Sequence, residues 1–172
     1  MDPVQSAKDQ MGGIESFFAK LPGIKGYREK EIRRDADKQV RDNLARRLES
    51  RRRKLTALQS DLLDSGGLMW MDDVERVVGR LQLFIDRIKT ASYGYAPLWG
   101  INKVKEDDLD RLVAFDQDLY AQLGPLDEAI GKLEQAVQAN EGIKEALRST
   151  GDLLAGFNET FNRRAEVIQN AS

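Results

Sequence analysis

Four long stretches of this chain repeat apolar residues at alternating spacings of four and three. The clearest series consists of Trp70, Val74, Val77, Leu81, Phe84 and Ile88. Another series runs from Ile143 to Ile168 and is broken only by Thr150 and Arg164. In an α-helix this spacing places one apolar stripe, or seam, along the helix, and the seam is stable only when other helices bury it. The sequence therefore predicts an all-α fold built from long helices.

Two glycine-containing turns connect the predicted helices in pairs. Ser65-Gly66-Gly67 ends the first long helix, and Asn140-Glu141-Gly142 precedes the last one. Turns this short make the helices on either side antiparallel neighbours. We therefore predict an antiparallel bundle of four long helices in residues 27–172, preceded by a short amphipathic arm and hinge in residues 1–26. The predicted helices cover about residues 27–64, 68–91, 104–139 and 143–169.

The third predicted helix contains Gly124-Pro125 in its middle. Proline removes a backbone hydrogen bond and kinks or breaks the interior of a helix. The apolar spacing nevertheless continues through Leu119, Leu123, Leu126 and Ile130 without a change of phase. We predict one helix that is kinked at residues 124–125 and helical on both sides of the kink.

The chain contains neither cysteine nor histidine among its 172 residues. It therefore lacks thiolate nucleophiles and sulfur ligands, and also the commonest general base and transition-metal ligand. No phosphate-binding loop, dinucleotide fingerprint or nucleophile elbow occurs in it. We predict that the protein is not an enzyme and uses no cofactor and no metal. An enzyme with a carboxylate-based site is the third choice.

Acidic pairs are the remaining source of such a site. They include Asp107/Asp108, Asp116/Asp118 and Asp127/Glu128. Most of these acids are expected on solvated helix faces or at helix starts. Asp116 differs because it occupies a seam position. Two interpretations are open for Asp116: a solvated side chain, which is the commoner case, or a buried acid paired with Arg51 or Arg164.

Charge is unevenly distributed along the chain, although the net charge is only −2. Residues 20–54 hold 14 Lys and Arg against 6 Asp and Glu, and few apolar residues occur between residues 28 and 43. We predict that the start of the first helix projects beyond the bundle. The candidate surface for an anionic partner there consists of Arg28, Lys30, Arg33, Arg34, Lys38 and Arg41. A self-paired solvated helix and a protein-binding face are the alternatives, since acids precede several of these bases by four residues.

The N-terminal arm contains Phe17-Phe18 and two adjacent glycines. It is expected to lie along the bundle or, alternatively, to enter a membrane surface. A short amphipathic start followed by a long charged helix resembles the layout of membrane-remodelling helical proteins of the phage-shock type. This resemblance is one of layout alone, and it implies binding to a membrane surface.

Aromatic and apolar residues are concentrated in the connection between the second and third helices, where polar residues are usual. The candidate aromatic patch consists of Tyr93, Tyr95, Leu98 and Trp99. Aromatic residues dominate the energetics of many protein interfaces, so this segment is either a binding patch or a plug over the end of the bundle.

These patterns predict a non-enzymatic helical interaction or scaffold protein that binds a protein partner or associates with itself through long, coiled-coil-like helices. A peripheral module for anionic membranes, which uses the arm and the basic first helix, is the alternative. Nucleic acid is not the predicted partner, and no small-molecule substrate is indicated. The polar N-terminus and the lack of a long apolar run predict a cytoplasmic protein, with peripheral membrane association as the alternative location.

Overall fold

The computed structural model describes residues 30–91 and 106–170, and it describes side chains in residues 38–91 and 114–166. Within these ranges the chain forms helices joined by turns, without a strand. The helices are α1 (Lys30–Asp64), a short 3₁₀ helix (Leu68–Trp70), α2 (Met71–Thr90), α3 (Glu106–Ala121), α4 (Leu123–Ala139) and α5 (Ile143–Asn170). The predicted all-α class is confirmed. None of the helices in the described ranges is both long enough and apolar enough to cross a membrane.

The turns after α1 and α4 have the same hydrogen-bonding pattern. After α1, the amide of Gly67 donates to the carbonyl of Leu62 at 2.7 Å, and Gly66 has a φ of 82°. After α4, the amide of Glu141 donates to the carbonyl of Ala136 at 3.0 Å, and Asn140 has a φ of 53°. These are Schellman motifs, in which glycine or asparagine adopts the left-handed conformation that ends a helix. Each turn reverses the chain within three residues.

The third predicted helix consists of α3 and α4, which Gln122 alone separates. The helical hydrogen bonds continue across it, from the Gln122 amide to Asp118 and from the Leu126 amide to Gln122, both at 3.1 Å. Pro125 is the third residue of α4, where a helix needs no amide donor. The interruption therefore lies at Gln122, three residues before the proline. The proline itself lies in the first turn of α4.

The seam positions form the core. Every position of the predicted seams whose side chain is described is buried, except Trp70, which is half-buried. The buried seam residues of α2 are Val74, Val77, Leu81, Phe84 and Ile88. Ile85, which lies beside the seam on the same helix, is also buried. On one side α2 packs against α1, and on the other its Phe84 ring lies 5.4 Å from that of Phe157 on α5. Covering from two sides explains why α2 needs an apolar face wider than one seam.

The side-chain contacts establish the relative directions of neighbouring helices. α1 and α2 are joined by one short turn, and the side chain of Arg41 of α1 reaches Ile88 near the far end of α2. The two helices are therefore antiparallel. In α2 and α5, contacts advance together, from Val77 near Gly151 to Arg87 beside Asn158. These two helices are therefore parallel neighbours. By the same reasoning α1 is parallel to α3 and α4, because Tyr120 reaches Val40 and Asp127 reaches Arg51.

Candidate interaction surface

The turn between α1 and α2 presents three large apolar side chains to solvent. Leu63, Leu68 and Met69, here called the tip patch, are 50%, 68% and 77% exposed. Of the described residues, Leu83 is the only other large hydrophobic residue with comparable exposure. Complete burial of such a side chain is worth about 1.5–3 kcal/mol. Three of them within seven residues therefore leave a substantial gain available to a binding partner.

Local backbone structure explains why the tip patch is exposed. Leu62 is buried as the last seam residue of α1, so its neighbour Leu63 must point away from the core. Leu68 and Met69 belong to the 3₁₀ helix that joins the Gly66-Gly67 turn to α2. This short helix turns the chain into α2, ends at Trp70, the first and half-buried seam residue, and buries none of its own residues fully.

Acidic residues flank the tip patch in the sequence. Residues 55–75 contain Asp61, Asp64, Asp72, Asp73 and Glu75 and no lysine or arginine. At the start of α2 the negative charges stabilise the helix dipole. At the end of α1 the dipole disfavours them, and no basic residue occurs in that last turn. Helix stability therefore accounts for the acids of α2 and not for Asp61 and Asp64.

The sequence reasoning missed the tip patch as a site. Its signal was present in two forms: apolar residues at 63, 68 and 69 that lie outside the seam spacing, and a stretch of 21 residues with acids and no bases. Neither signal identifies a site by itself, because the sequence does not show that these side chains stay exposed while the seam residues beside them enter the core.

The predicted basic surface is placed in part. Lys38 is exposed, whereas Arg41 is 8% exposed and its Nη1 donates to the carbonyl of Ile88 at 3.4 Å. Arg41 therefore joins α1 to α2 and does not belong to an open anion-binding surface. Lys30, Arg33 and Arg34 belong to α1, but their side chains lie outside the part of the chain that the structure describes. Arg28 lies outside it entirely. Tyr93, Tyr95, Leu98 and Trp99, the candidate aromatic patch, also lie outside the described residues.

Asp116 is a buried acid paired with a seam arginine, which was the less common of its two interpretations. Arg164 Nε of α5 donates to Asp116 Oδ1 of α3 at 2.8 Å, and the two side chains are 2% and 11% exposed. The solvated interpretation is wrong because the partner, 48 residues away, compensates for the loss of water around the carboxylate. The pair connects α3 to α5.

Arg51, the other seam arginine, pairs with Asp127 of α4 and also donates to the carbonyl of Arg47 at 2.8 Å. Burial lowers the pKa of the Arg51 guanidinium, and the nearby Asp127 carboxylate partly offsets that effect. The Arg51 Nε is buried without a hydrogen-bond partner. An arginine in this setting holds α1 against α4, and it is not free to bind a ligand.

Tyr120 of α3 is fully buried against α1. Its hydroxyl lies 2.9 Å from the carbonyl oxygen of Val40 and 3.1 Å from Asn43 Oδ1, so one hydrogen is shared between two acceptors. Arg47 Nε donates to the same Asn43 oxygen at 2.9 Å. Burial raises the pKa of the Tyr120 phenol well above its usual value, and the charge of Arg47 opposes this only in part. The phenol stays protonated at neutral pH, so the cluster acts in helix packing.

Among the described residues no group of three or more Asp and Glu is arranged to hold a metal ion. The buried titratable groups found there, which all contact a neighbouring helix, are Arg41, Arg51, Asp116, Tyr120 and Arg164. In the described part of the chain, the features available to bind other molecules therefore lie on the surface. The tip patch is the main one among them.

Neither a protein-family model, nor a curated protein, nor a solved structure matches this chain.

Proposed function

We propose that residues 27–172 form one four-helix bundle in which α3 and α4 act as a single interrupted helix, and that residues 1–26 are a separate arm. Consecutive helices alternate in direction in this arrangement. The contacts between α1 and α2, α4 and α5, α2 and α5, and α1 and α4 support it. In this bundle α2 lies diagonally opposite α3 and α4, so two of the neighbouring pairs are parallel and not antiparallel.

We further propose that the protein is a non-enzymatic helical interaction protein, which binds a protein partner or associates with itself through the tip patch. The observation that carries the proposal is the exposure of Leu68 and Met69 at the end of an otherwise well-packed helical pair. Contiguous exposed apolar side chains with a polar surround are typical of protein-binding sites. The acids that flank the patch in the sequence favour a partner that carries basic residues beside its apolar ones.

The distribution of the other polar groups supports a structural and not a catalytic role for the helices. Interhelical bonds use most of the buried polar side chains, such as the pair formed by Gln122 and Thr160 at 3.1 Å. The absence of histidine and cysteine from the sequence removes the usual catalytic bases and nucleophiles.

The test compares two variants with matched chemistry. Leu68→Ser/Met69→Ser removes the apolar groups of the tip patch, and Leu83→Ser changes an exposed leucine of α2 outside it. Light scattering over a concentration series measures self-association of the native chain and of each variant. If the native chain is monomeric, cross-linking in its native cells followed by purification identifies the bound partner. We expect the tip variant to lose the association and Leu83→Ser to keep it. Equal behaviour of the two variants would contradict the proposal.

The alternative function is a peripheral module for anionic membranes, and the excess of basic residues in residues 20–54 is the observation that favours it. Arg33→Glu/Arg34→Glu reverses two charges at the predicted surface. This variant should no longer sediment with anionic vesicles, while its thermal stability changes within about 0.5 kcal/mol. Binding of the native chain should also fall steeply with added salt. Vesicle binding that the tip variant abolishes and this charge reversal leaves intact would instead support the tip patch.

A further inference from the structure

A cleft of about 240 Å³ lies between the first three turns of α2 and those of α5. Its charged lining comprises Arg76 and Arg80 of α2, Lys144 and Arg148 of α5, and the acids Asp73 and Asp152. Because α2 and α5 are parallel, both helices begin at this end of the protein. Of the four cations, Lys144 lies in a first turn, where the positive end of a helix dipole acts.

This clustering of like charge is unfavourable for the folded chain alone. Cations near a helix N-terminus oppose the dipole, and cations that face one another across a groove repel. Elsewhere the described helices pair opposite charges, as where Lys89 of α2 meets Glu49 of α1 at 2.8 Å. In the lining of the cleft the cations outnumber the acids by four to two.

Local ion pairs neutralise two of the four cations. Arg76 pairs with Asp73 at 2.9 Å, and Arg148 pairs with Glu145 at 2.7 Å. Arg80 and Lys144 form no ion pair or side-chain hydrogen bond with any other residue in the described ranges. Two unpaired cations, one from each helix, therefore line the same cleft.

Gly151 of α5 makes room for one of them. A Cβ atom at this buried position would lie 3.3 Å from Nη1 of Arg80 and 3.9 Å from a methyl carbon of Val77. Glycine destabilises the interior of a helix relative to alanine, so its presence here calls for a local reason. The reason we infer is space: the guanidinium of Arg80 lies across the glycine backbone, inside the cleft.

We propose that the α2–α5 cleft binds a phosphate group, with Arg80 and Lys144 as its principal donors. Guanidinium and ammonium groups donate charge-assisted hydrogen bonds to phosphate oxygens, and the N-terminus of α5, beside Lys144, adds to the favourable potential. Val77 and Leu147 supply apolar lining beside the cations. The volume lies slightly below the usual range of ligand pockets, so one phosphate group with a small attached group fits it. This site is separate from the tip patch and does not depend on it.

The test is a titration of the native chain with pyrophosphate and, separately, inorganic phosphate at constant ionic strength, followed by amide NMR. We expect saturable shifts at Gly151 and Val77. Arg80→Gln should weaken binding about tenfold, the loss expected for one charge-assisted hydrogen bond. Lys144→Gln should have a similar effect. Arg53→Gln, which removes one exposed arginine from α1, is the control and should bind as the native chain does.

Gly151→Ala leaves every charge in place and brings a Cβ atom within 3.3 Å of Arg80 Nη1, so this exposed side chain has to move by a few tenths of an ångström. Its affinity should lie between those of the native chain and of Arg80→Gln, while the helical circular dichroism signal is unchanged. Shifts that fail to saturate, or equal affinities of Arg80→Gln and Arg53→Gln, would overturn the proposal.

Two sources can supply the phosphate group, and vesicles distinguish them. If the source is a lipid headgroup, vesicles that contain phosphatidate should bind the native chain, phosphatidylcholine vesicles should not, and pyrophosphate should compete. If the source is a free phosphorylated molecule, pyrophosphate should bind in solution while both types of vesicle fail to do so. Failure of every one of these probes to bind at the cleft would overturn the assignment.

Discussion

The buried ion pair between Asp116 and Arg164 provides a quantitative test of how the helices are held together. Asp116→Asn removes the negative charge and keeps a side chain of nearly the same shape. It takes away the carboxylate that pairs with the guanidinium of Arg164, a group that is 2% exposed. Arg164→Met performs the reverse change and leaves the carboxylate of Asp116, which is 11% exposed.

The magnitude follows from what each variant leaves behind. Removal of one partner of a buried pair costs about 3–5 kcal/mol of unfolding free energy, since the other charge stays desolvated. Asp116→Asn should fall near the lower limit, at about 3 kcal/mol, because the amide oxygen can still accept the hydrogen bond from Arg164 Nε. Replacement of both partners by apolar groups is often neutral. We therefore expect Asp116→Leu/Arg164→Met to be more stable than either single variant.

The assay is guanidinium denaturation followed by circular dichroism. Asp116→Asn, Arg164→Met, their combination Asp116→Asn/Arg164→Met and the native chain form a double-mutant cycle. Arg164→Met also removes a cation whose guanidinium carbon lies 6.0 Å from the centre of the Phe161 ring, and the cycle separates this contribution from that of the pair. A cost below about 1 kcal/mol for Asp116→Asn, or a cost of Asp116→Asn/Arg164→Met equal to the sum of the two single costs, would refute the reasoning.

Four further substitutions test the core, the α1–α3 contact, the turn and an open position in α2. Leu81→Ala, at a fully buried position of α2, should cost about 2–5 kcal/mol in a denaturant melt, and a loss below about 1 kcal/mol would exclude Leu81 from the core. The raised pKa of Tyr120 means that the folded state holds its phenolic proton more tightly, so stability should fall as pH rises above about 10, and Tyr120→Phe should lessen that fall. Gly67→Ala places a Cβ atom 2.9 Å from the Leu62 carbonyl oxygen and should destabilise the turn, whereas Gly79→Ala, at an open site in α2, should stabilise by about 0.5–1 kcal/mol in the same melt.

The burial of individual residues could be predicted from the sequence because, in a helix, the face on which a residue lies depends on its position and not on its type. Thr150 and Arg164 interrupt the last seam chemically, yet both are buried where the spacing places them. The same is true of Arg51 and Asp116 in two other helices. A seam position is buried whether or not its side chain is apolar, and a polar one then requires a partner.

The relative placement of the helices could not be predicted in the same way. A seam specifies which face of a helix is buried and says nothing about the helix that covers it. The two short turns indicated the α1–α2 and α4–α5 pairs, but the parallel contact of α2 with α5 joins residues about 70 apart in sequence, such as Arg87 and Asn158. For the same reason the choice between Arg51 and Arg164 as the partner of Asp116 stayed open until the helices were placed.

The candidate surfaces were harder to predict than the core because exposure depends on what the neighbours fail to cover. Leu63 resembles Leu62 in every property except its position, and only the packed helix distinguishes them. The cleft likewise depends on Arg80 and Lys144 lying on parallel helices, which their sequence separation of 64 residues does not indicate. Arg41 is the opposite case. Its charge predicted an anion-binding residue, but its side chain packs α1 against α2.

The order of charges along α1 is the reverse of the one that its helix dipole favours. Bases predominate in the helix up to Lys54, and from there to its end the charges are Asp61 and Asp64. The backbone dipole favours the reverse order, with acids first and bases last. The helix therefore forgoes a favourable electrostatic contribution at both ends, and its apolar seam must supply the stability. An acidic end beside the exposed Met69 is explained if a basic, partly apolar partner binds there, which is the interaction that the tip variants test.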